Sequence, residues 1–451
     1  MRKWQRMAAR LGAGVLAALL AGCAAGGQGA GSAPGCAETA AQAETTEAGA
    51  PVAESAEPAE PPLRRLQCAD EQAYFEIEYI DGEIGRLCVT DFTTGQRRVP
   101  CSADGCTHDT ADCPAAVPWN NYGGVYVLNG ETLLWAGSAL YLSGRSGEEF
   151  RALCEEFWFD ESNLFTDGEA VYCLAYPLDE NNTSVCRQLC RVDLASGERQ
   201  VLADFPDATL VLGGSGRTFL LRNYYTEPLP GQTGGPTREN PGEEAARDVA
   251  YDIDSGEARR LGQYPVAQSG HVACASALLD GVYYVFDDAA RRVTGLDLAS
   301  GETVLKSDEL PPAPNEGRGQ EHISPSRVLN GWLELDVSRY DENGANGEEF
   351  SYLVDLASGA VQRKPDLPVQ VYRDGTHQPL VCAQLADRLL VCAQLADRLL
   401  VTCAVEPYSE ATFGTYGNPY TIDGYRLQLG LVAYDDYLNG TADYQLLEAY
   451  L

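Results

Sequence analysis

The chain has 451 residues and carries 66 acidic against 32 basic side chains, a formal charge of −34. Nucleic acid and anionic lipid headgroups repel such a chain, which excludes both as partners. Only three residues are lysine (Lys3, Lys306 and Lys364), so nearly all the basic charge is arginine. With so much Ala and Gly alongside, that balance reflects genome composition, and the acidity makes a soluble, self-repelling surface.

Arg2, Lys3, Arg6 and Arg10 precede an apolar stretch from Leu11 to Ala21, followed by Gly22-Cys23. A basic start, a short apolar stretch and small residues at its end make residues 1–22 an export signal too short to remain as a membrane span. Leu20-Ala21-Gly22-Cys23 resembles a bacterial lipobox. That resemblance implies cleavage before Cys23 and lipidation of its thiol, since two or more acyl chains anchor stably where one does not. The alternative is a secreted chain in which Cys23 is only a small residue. Removing the signal leaves 28 basic residues against 66 acids, a net of −38. Residues 23–65 are Ala, Gly, Glu, Pro and Ser with almost no large apolar side chain, the composition of a disordered tether. Such a tether reaches on the order of 50–100 Å.

Residues 66–451 repeat one phrase: Val192–Glu198 (VDLASGE), Leu296–Glu302 (LDLASGE), Tyr251–Glu257 (YDIDSGE), Val354–Ala360 (VDLASGA) and Thr90–Gln96 (TDFTTGQ). Each copy sits between runs that alternate apolar and polar residues, so each reads as a tight turn joining two half-buried strands. The clearest unit runs from His271 to Lys306 and spells a four-stranded meander. A meander copied many times predicts an all-β protein, a β-propeller of four-stranded blades. The turn aspartates Asp91, Asp193, Asp252, Asp297 and Asp355 mark five blades. Glu155, found by matching Gly147–Phe150 to Gly347–Phe350, and Asp435 mark two more, so about seven blades are expected, with six or eight open.

In such a blade the connections from strand one to two and from three to four are short and leave one face. The long connections, Tyr176–Val185, Tyr224–Asp248, Arg339–Glu349 and Glu406–Tyr425, join strand two to three and leave the other. Cys101–Tyr122 is expected there too, between blades. Insertions gathered on one face usually build the binding surface.

Fifteen cysteines are many for a chain that leaves the cytoplasm. Cys173, Cys274 and Cys403 sit at apolar positions of strands, where they act as small hydrophobes. Many unpaired thiols in an exported chain suggest a reducing, anaerobic habitat. One cluster is different. Cys101-x4-Cys106-x-His108-x4-Cys113 offers three thiols and an imidazole within thirteen residues, enough to close a tetrahedral zinc shell. With all four positions filled by protein, one such zinc is structural, because catalysis needs an open position. A disulfide among the three cysteines, or free thiols pinning the loop, are the alternatives.

Aromatic residues gather in the long connections: Trp119 and Tyr122, Tyr224 and Tyr225, and Tyr408, Phe413, Tyr416, Tyr420 and Tyr425. Aromatics there can stack on sugars or anchor a protein partner, or tuck beneath their own loops. Asp341–Gly347 lacks the oxygen-ligand alternation of a calcium loop. His271, His322 and His377 are too scattered for a triad, and no nucleophile elbow, zinc-protease helix or phosphate loop occurs. Acidic pairs such as Glu155-Glu156 leave a glycosidase couple conceivable, but not visible.

The lipobox, the acidic tether, the D-L-x-S-G-E turns and the Cys/His segment together resemble propeller lipoproteins of clostridial-type Gram-positive bacteria, which look distantly like TolB-type propellers. The resemblance implies an exported propeller held by its lipid on the outer face of the cell membrane. The function expected is a monomeric, non-enzymatic binding module for an extracellular ligand or cell-envelope protein. The alternatives are a glycan-active hydrolase or lyase with carboxylates in the propeller channel, and an envelope scaffold.

Overall fold

The runs of alternating residues between the glycine turns form seven sheets in chain order, antiparallel apart from one short parallel pairing of Gln370–Val371 in the seventh, and the protein is a seven-bladed β-propeller. The computed structural model describes residues 61–450 apart from 82–83, 119–122, 137, 145–149, 156–157, 161–162, 178–185, 207, 228–242, 267–273, 313–319, 341–347, 368–369, 372–390 and 414–418. Cys23, the signal and most of the expected tether therefore lie outside the described residues. Pro62–Leu451 is one compact unit.

The repeated turn is explained by its own atoms. Asp193 Oδ1 accepts the backbone N–H of Ala195 (3.1 Å) and Ser196 (2.9 Å) and the Ser196 hydroxyl (2.8 Å). Ser196 Oγ accepts the N–H of Glu198, and Gly197 takes a φ of 75°, open to glycine at no steric cost. The same bonds recur at Asp91, Asp252, Asp297 and Asp355. Three donors on one carboxylate oxygen favour its charged form, and the Ser196 N–H is the main cause holding the Asp193 carboxyl below its usual range.

Blade 5 is the plainest unit: Cys274–Leu279, Val282–Asp287, Arg292–Asp297 and Thr303–Lys306. Asp280 and Gly281, both at positive φ, join its first two strands. Blade 2 corrects one expected marker. Its third and fourth strands are Ala139–Gly144 and Arg151–Cys154, so Glu155 follows the fourth strand instead of marking the turn before it. The match of Gly147–Phe150 to Gly347–Phe350 aligned the approach to a fourth strand with the start of a third, Glu348–Asp355. Asp435 does fall between the third and fourth strands of blade 7, but on a short helix, Tyr434–Asn439.

The core is divided among the blade interfaces. Among the described residues seven apolar clusters fill the seven interfaces, including the one that joins blade 7 to blade 1 around Tyr74, Phe92, Leu400 and Leu429. The smallest lies between blades 4 and 5, where Leu220, Leu278 and Tyr283 are its fully buried members. A polar network reinforces that interface. Asp248, wholly buried, receives Arg222 Nε at 2.7 Å and Nη2 at 2.9 Å, the Ser276 hydroxyl at 2.5 Å and the Tyr283 hydroxyl at 2.8 Å. Arg222 also donates to the Cys274 carbonyl at 3.0 Å and to Ser276 Oγ at 2.9 Å.

Leu63–Ala69, read in part as tether, belongs to the fold. Leu63 N–H donates to the Gly216 carbonyl of blade 4 at 2.7 Å, and Arg64–Arg65 pair with Phe165–Thr166 of blade 3. The Gln67 carbonyl accepts from Val127 of blade 2, and Gln67 Oε1 accepts the Gln394 N–H of blade 7 at 2.7 Å. Ala69 then bridges Tyr74 of blade 1. The first strands of blades 4, 5 and 6 neighbour one another, so first strands line the axis. The segment thus runs along the inner edges of five blades at the end that carries the short turns.

Only one copy of the repeated decapeptide falls among the described residues. This second copy, Val391–Leu400, supplies the first strand of blade 7, Val391–Gln394, and begins the second, Arg398–Phe413, while Val381–Leu390 lies outside the described residues. Because the copies are identical, deleting either leaves the same chain with the blade intact. The ten-residue deletion is expected to keep one cooperative urea transition and to change unfolding free energy by no more than about 0.5 kcal/mol. A broadened, non-cooperative transition in that variant would show that both copies are needed.

Candidate metal centre and the long-connection face

The Cys/His segment interrupts a strand. In blade 1, Arg97–Arg98 pair with Val89 and Thr90, whereas Ala116–Pro118 pair with Ile84–Arg86 at the other end of the same third strand. Both pieces lie on one edge, so together they are a single outer strand with residues 99–115 bulging from its middle. This corrects the expected placement of Cys101–Tyr122 between blades on the long-connection face. Three residues of resumed strand are too few to show an alternation in the sequence.

Two residues at positive φ turn the bulge back on itself: Gly105 (72°) and His108 (62°). The Cys106 N–H donates to the Ala103 carbonyl at 3.3 Å, and the Cys113 N–H to the Thr110 carbonyl at 3.2 Å. The His108 N–H donates to Cys106 Sγ at 3.4 Å, which is the first cause holding the Cys106 thiol below its ordinary range. Burial pushes the Cys113 thiol up to about 11. Arg86, paired at 2.5 Å with Glu78, reaches out from the third strand to the His108 carbonyl at 3.2 Å. The result brings one ligand atom each from Cys101, Cys106, His108 and Cys113 within 4.8 Å of one another. His108 Nδ1 lies 3.5 Å from Cys113 Sγ. Asp104, Asp109 and Asp112 stay exposed and outside the set. Cys101, Cys106 and Cys113 stand as separate thiols in this arrangement.

The long connections rise on the opposite side from the short turns, but much of their length is strand. Thr218–Glu227 and Glu243–Asp252 carry blade 4 outward, and Arg398–Phe413 with Pro419–Ala433 form a still longer arm in blade 7. The outer strand of blade 7 pairs only as far along the arm as Gln428, and the inner strand spans only Val401 to Leu399. Residues 406–413 and 419–426 therefore form a two-stranded extension.

The expected aromatic surface is only partly placed. Trp119, Tyr122 and Tyr416 lie outside the described residues. Positions 408 and 420 share one face of the blade 7 arm and 413 the other, because Thr412 pairs with Tyr420 and Phe413 with Pro419. Tyr224 and Tyr225 are strand residues of blade 4, not loop residues as expected, because their strand continues past the point where its alternation fades. Both are half-buried: Tyr224 is raised above its usual pKa by burial, and the Tyr225 ring lies 4.7 Å from the Arg247 guanidinium. These two tyrosines are therefore part of the blade's own strand and not of a loop.

Three buried carboxylates have partners. Asp248 holds the interface described above. Asp167 accepts from the Tyr172 hydroxyl (2.7 Å) and Arg217 (3.1 Å). Glu334 accepts from the Tyr437 hydroxyl at 2.8 Å and lies 3.3 Å from Arg327 and 3.8 Å from Lys364.

No family model matches the chain, and no curated protein matches it. Solved structures similar to it include puromycin hydrolase, at 14% identity and a TM-score of 0.42 over 80% of this chain and 58% of that one. The β-propeller domain of the Trilobed protease from Pyrococcus furiosus is 8% identical, with a TM-score of 0.38 over 82% and 98%. Pyrococcus horikoshii acylaminoacyl peptidase is 9% identical, with a TM-score of 0.39 over 79% and 55%. The chain spans somewhat over half the length of puromycin hydrolase and of the acylaminoacyl peptidase. A propeller is a fold that hosts many unrelated activities.

Proposed function

We propose that the protein is a non-catalytic binding module, anchored through lipid on Cys23, that offers its long-connection face to an extracytoplasmic ligand or envelope protein. The observation that carries this reading is where the chain enters the ring. Leu63 and Arg64 bond to Gly216 and Asn129, both in turns between first and second strands, at 2.7 Å and 3.1 Å. Pro62 therefore stands at the short-turn end of the ring, and the strand arms of blades 4 and 7 rise from the opposite end. Among the described residues no helix is long and apolar enough to cross a membrane. Engagement of Asp167, Asp248 and Glu334 in structural ion pairs sets these three aside as general acids, because a general acid needs a carboxyl free to exchange its proton.

The test uses residues 62–451 with isolated cell-wall polysaccharide, assayed for both retention and release of reducing ends. Retention without new reducing ends is expected, and it should fall when residues 406–426 are replaced by a two-residue Asn-Gly turn that leaves the melt cooperative. Reducing ends that accumulate with time, and that vanish on replacing inner-strand acids, would establish the hydrolase or lyase in its place.

A further inference from the structure

We infer that Cys101, Cys106, His108 and Cys113 hold one zinc(II) ion, which fastens the interruption in the outer strand of blade 1. This inference stands apart from the proposed binding role. Its first ground is convergence. A tetrahedral zinc site of three sulfurs and one nitrogen, with Zn–S of about 2.3 Å and Zn–N of about 2.0 Å, has ligand-to-ligand edges of about 3.5–3.8 Å. The four ligand atoms here all lie within 4.8 Å of one another, and the one separation between His108 Nδ1 and Cys113 Sγ is 3.5 Å. Closing the remaining edges needs only side-chain adjustment.

The second ground is that the bulge has little else to hold it. Between residues 102 and 112 every side chain except Cys106 and His108 is exposed, and buried apolar anchors stand only at the two ends of the bulge, Pro100 before it and Cys113 and Ala115 after it. The eleven residues 102–112 bury too little to order themselves, yet the chain beyond them must return in register to Ile84–Arg86. The third ground is the surroundings of the donors. His108 sits at a φ that non-glycine residues seldom adopt, its N–H points at Cys106 Sγ, and its carbonyl is held by Arg86. Backbone N–H donation to a thiolate and a fixed backbone beneath a ligating imidazole are the outer contacts that orient metal ligands. Three thiolates and one imidazole suit zinc over harder cations such as magnesium or calcium. With all four positions supplied by protein, no open coordination site is left for substrate, so the ion is structural.

The experiment takes the exported chain without its signal, purified without oxygen. Metal analysis should find about one zinc per chain, and cobalt(II) should replace it with a thiolate charge-transfer band and intense visible bands of tetrahedral geometry. Cys106→Ser should lose the zinc and the charge-transfer intensity, whereas Cys274→Ser, outside the cluster, should keep both. His108→Cys should retain metal and shift the cobalt spectrum towards four sulfur ligands, a rescue that general misfolding could not mimic. Chelation should open residues 102–112 to protease while the rest of the ring stays resistant. No zinc after reconstitution, iron with sulfide in its place, a disulfide among Cys101, Cys106 and Cys113, or zinc content unchanged in Cys106→Ser would each overturn the inference.

Discussion

Replacing Asp248 with alanine is expected to lower unfolding free energy by about 3–5 kcal/mol, the cost of stranding one member of a buried ion pair. Asp248 has no exposed side-chain surface, and Arg222 is only 7% exposed. Removing the carboxylate leaves a guanidinium facing Ser276 and Tyr283 with no counter-charge and little water. The location multiplies the effect, because the apolar cluster between blades 4 and 5 is the smallest of the seven. Arg222→Met combined with Asp248→Leu should cost less than either single change, since it removes the charges together with their desolvation. Urea unfolding of the three variants measures this. A loss below about 1 kcal/mol for Asp248→Ala would place the pair among solvent-exposed ion pairs and sink the argument.

The N-terminal segment gives the second expectation. A chain beginning at Pro62 should melt like the full-length protein. A chain beginning at Asp70 should lose cooperative folding or at least about 5 kcal/mol of stability, because it lacks two leucines that are each 5% exposed. Truncating a buried leucine to alanine alone costs about 2–5 kcal/mol, and the longer deletion also strands backbone groups of five blades. Leu66→Ala in the full chain should recover about half of the deletion's effect. Equal melting of the two truncations would show that the segment lies on the ring without holding it.

Much of the propeller is written locally. Asp297 binds Ser300 three residues on, Gly301 takes the positive φ the turn requires, and the flanking runs alternate with the pleat. Interactions that span four or five residues leave a motif wherever they occur, so turns and meanders could be read from spacing, whereas the count of about seven blades rested in part on Glu155, which follows a fourth strand. The Cys/His cluster was legible for the same reason, as four ligand types within thirteen residues. Leu63 and Leu66 were the one available signal for the N-terminal segment, two large apolar residues at the end of a polar stretch.

The remainder depends on contacts between residues far apart in the chain, and these leave no periodicity to read. Arg222 and Asp248 are separated by 26 positions and meet Ser276 and Tyr283 of the next blade. Gln67 reaches Gln394 across 327 positions. The resumption of the outer strand at Ala116–Pro118 is set by the free edge of Ile84–Arg86, and that edge is what moves the cysteine bulge from a blade connection to the rim of blade 1. Local hydrogen bonding specifies how each blade turns; packing between blades specifies where those turns, ligands and ion pairs finally stand.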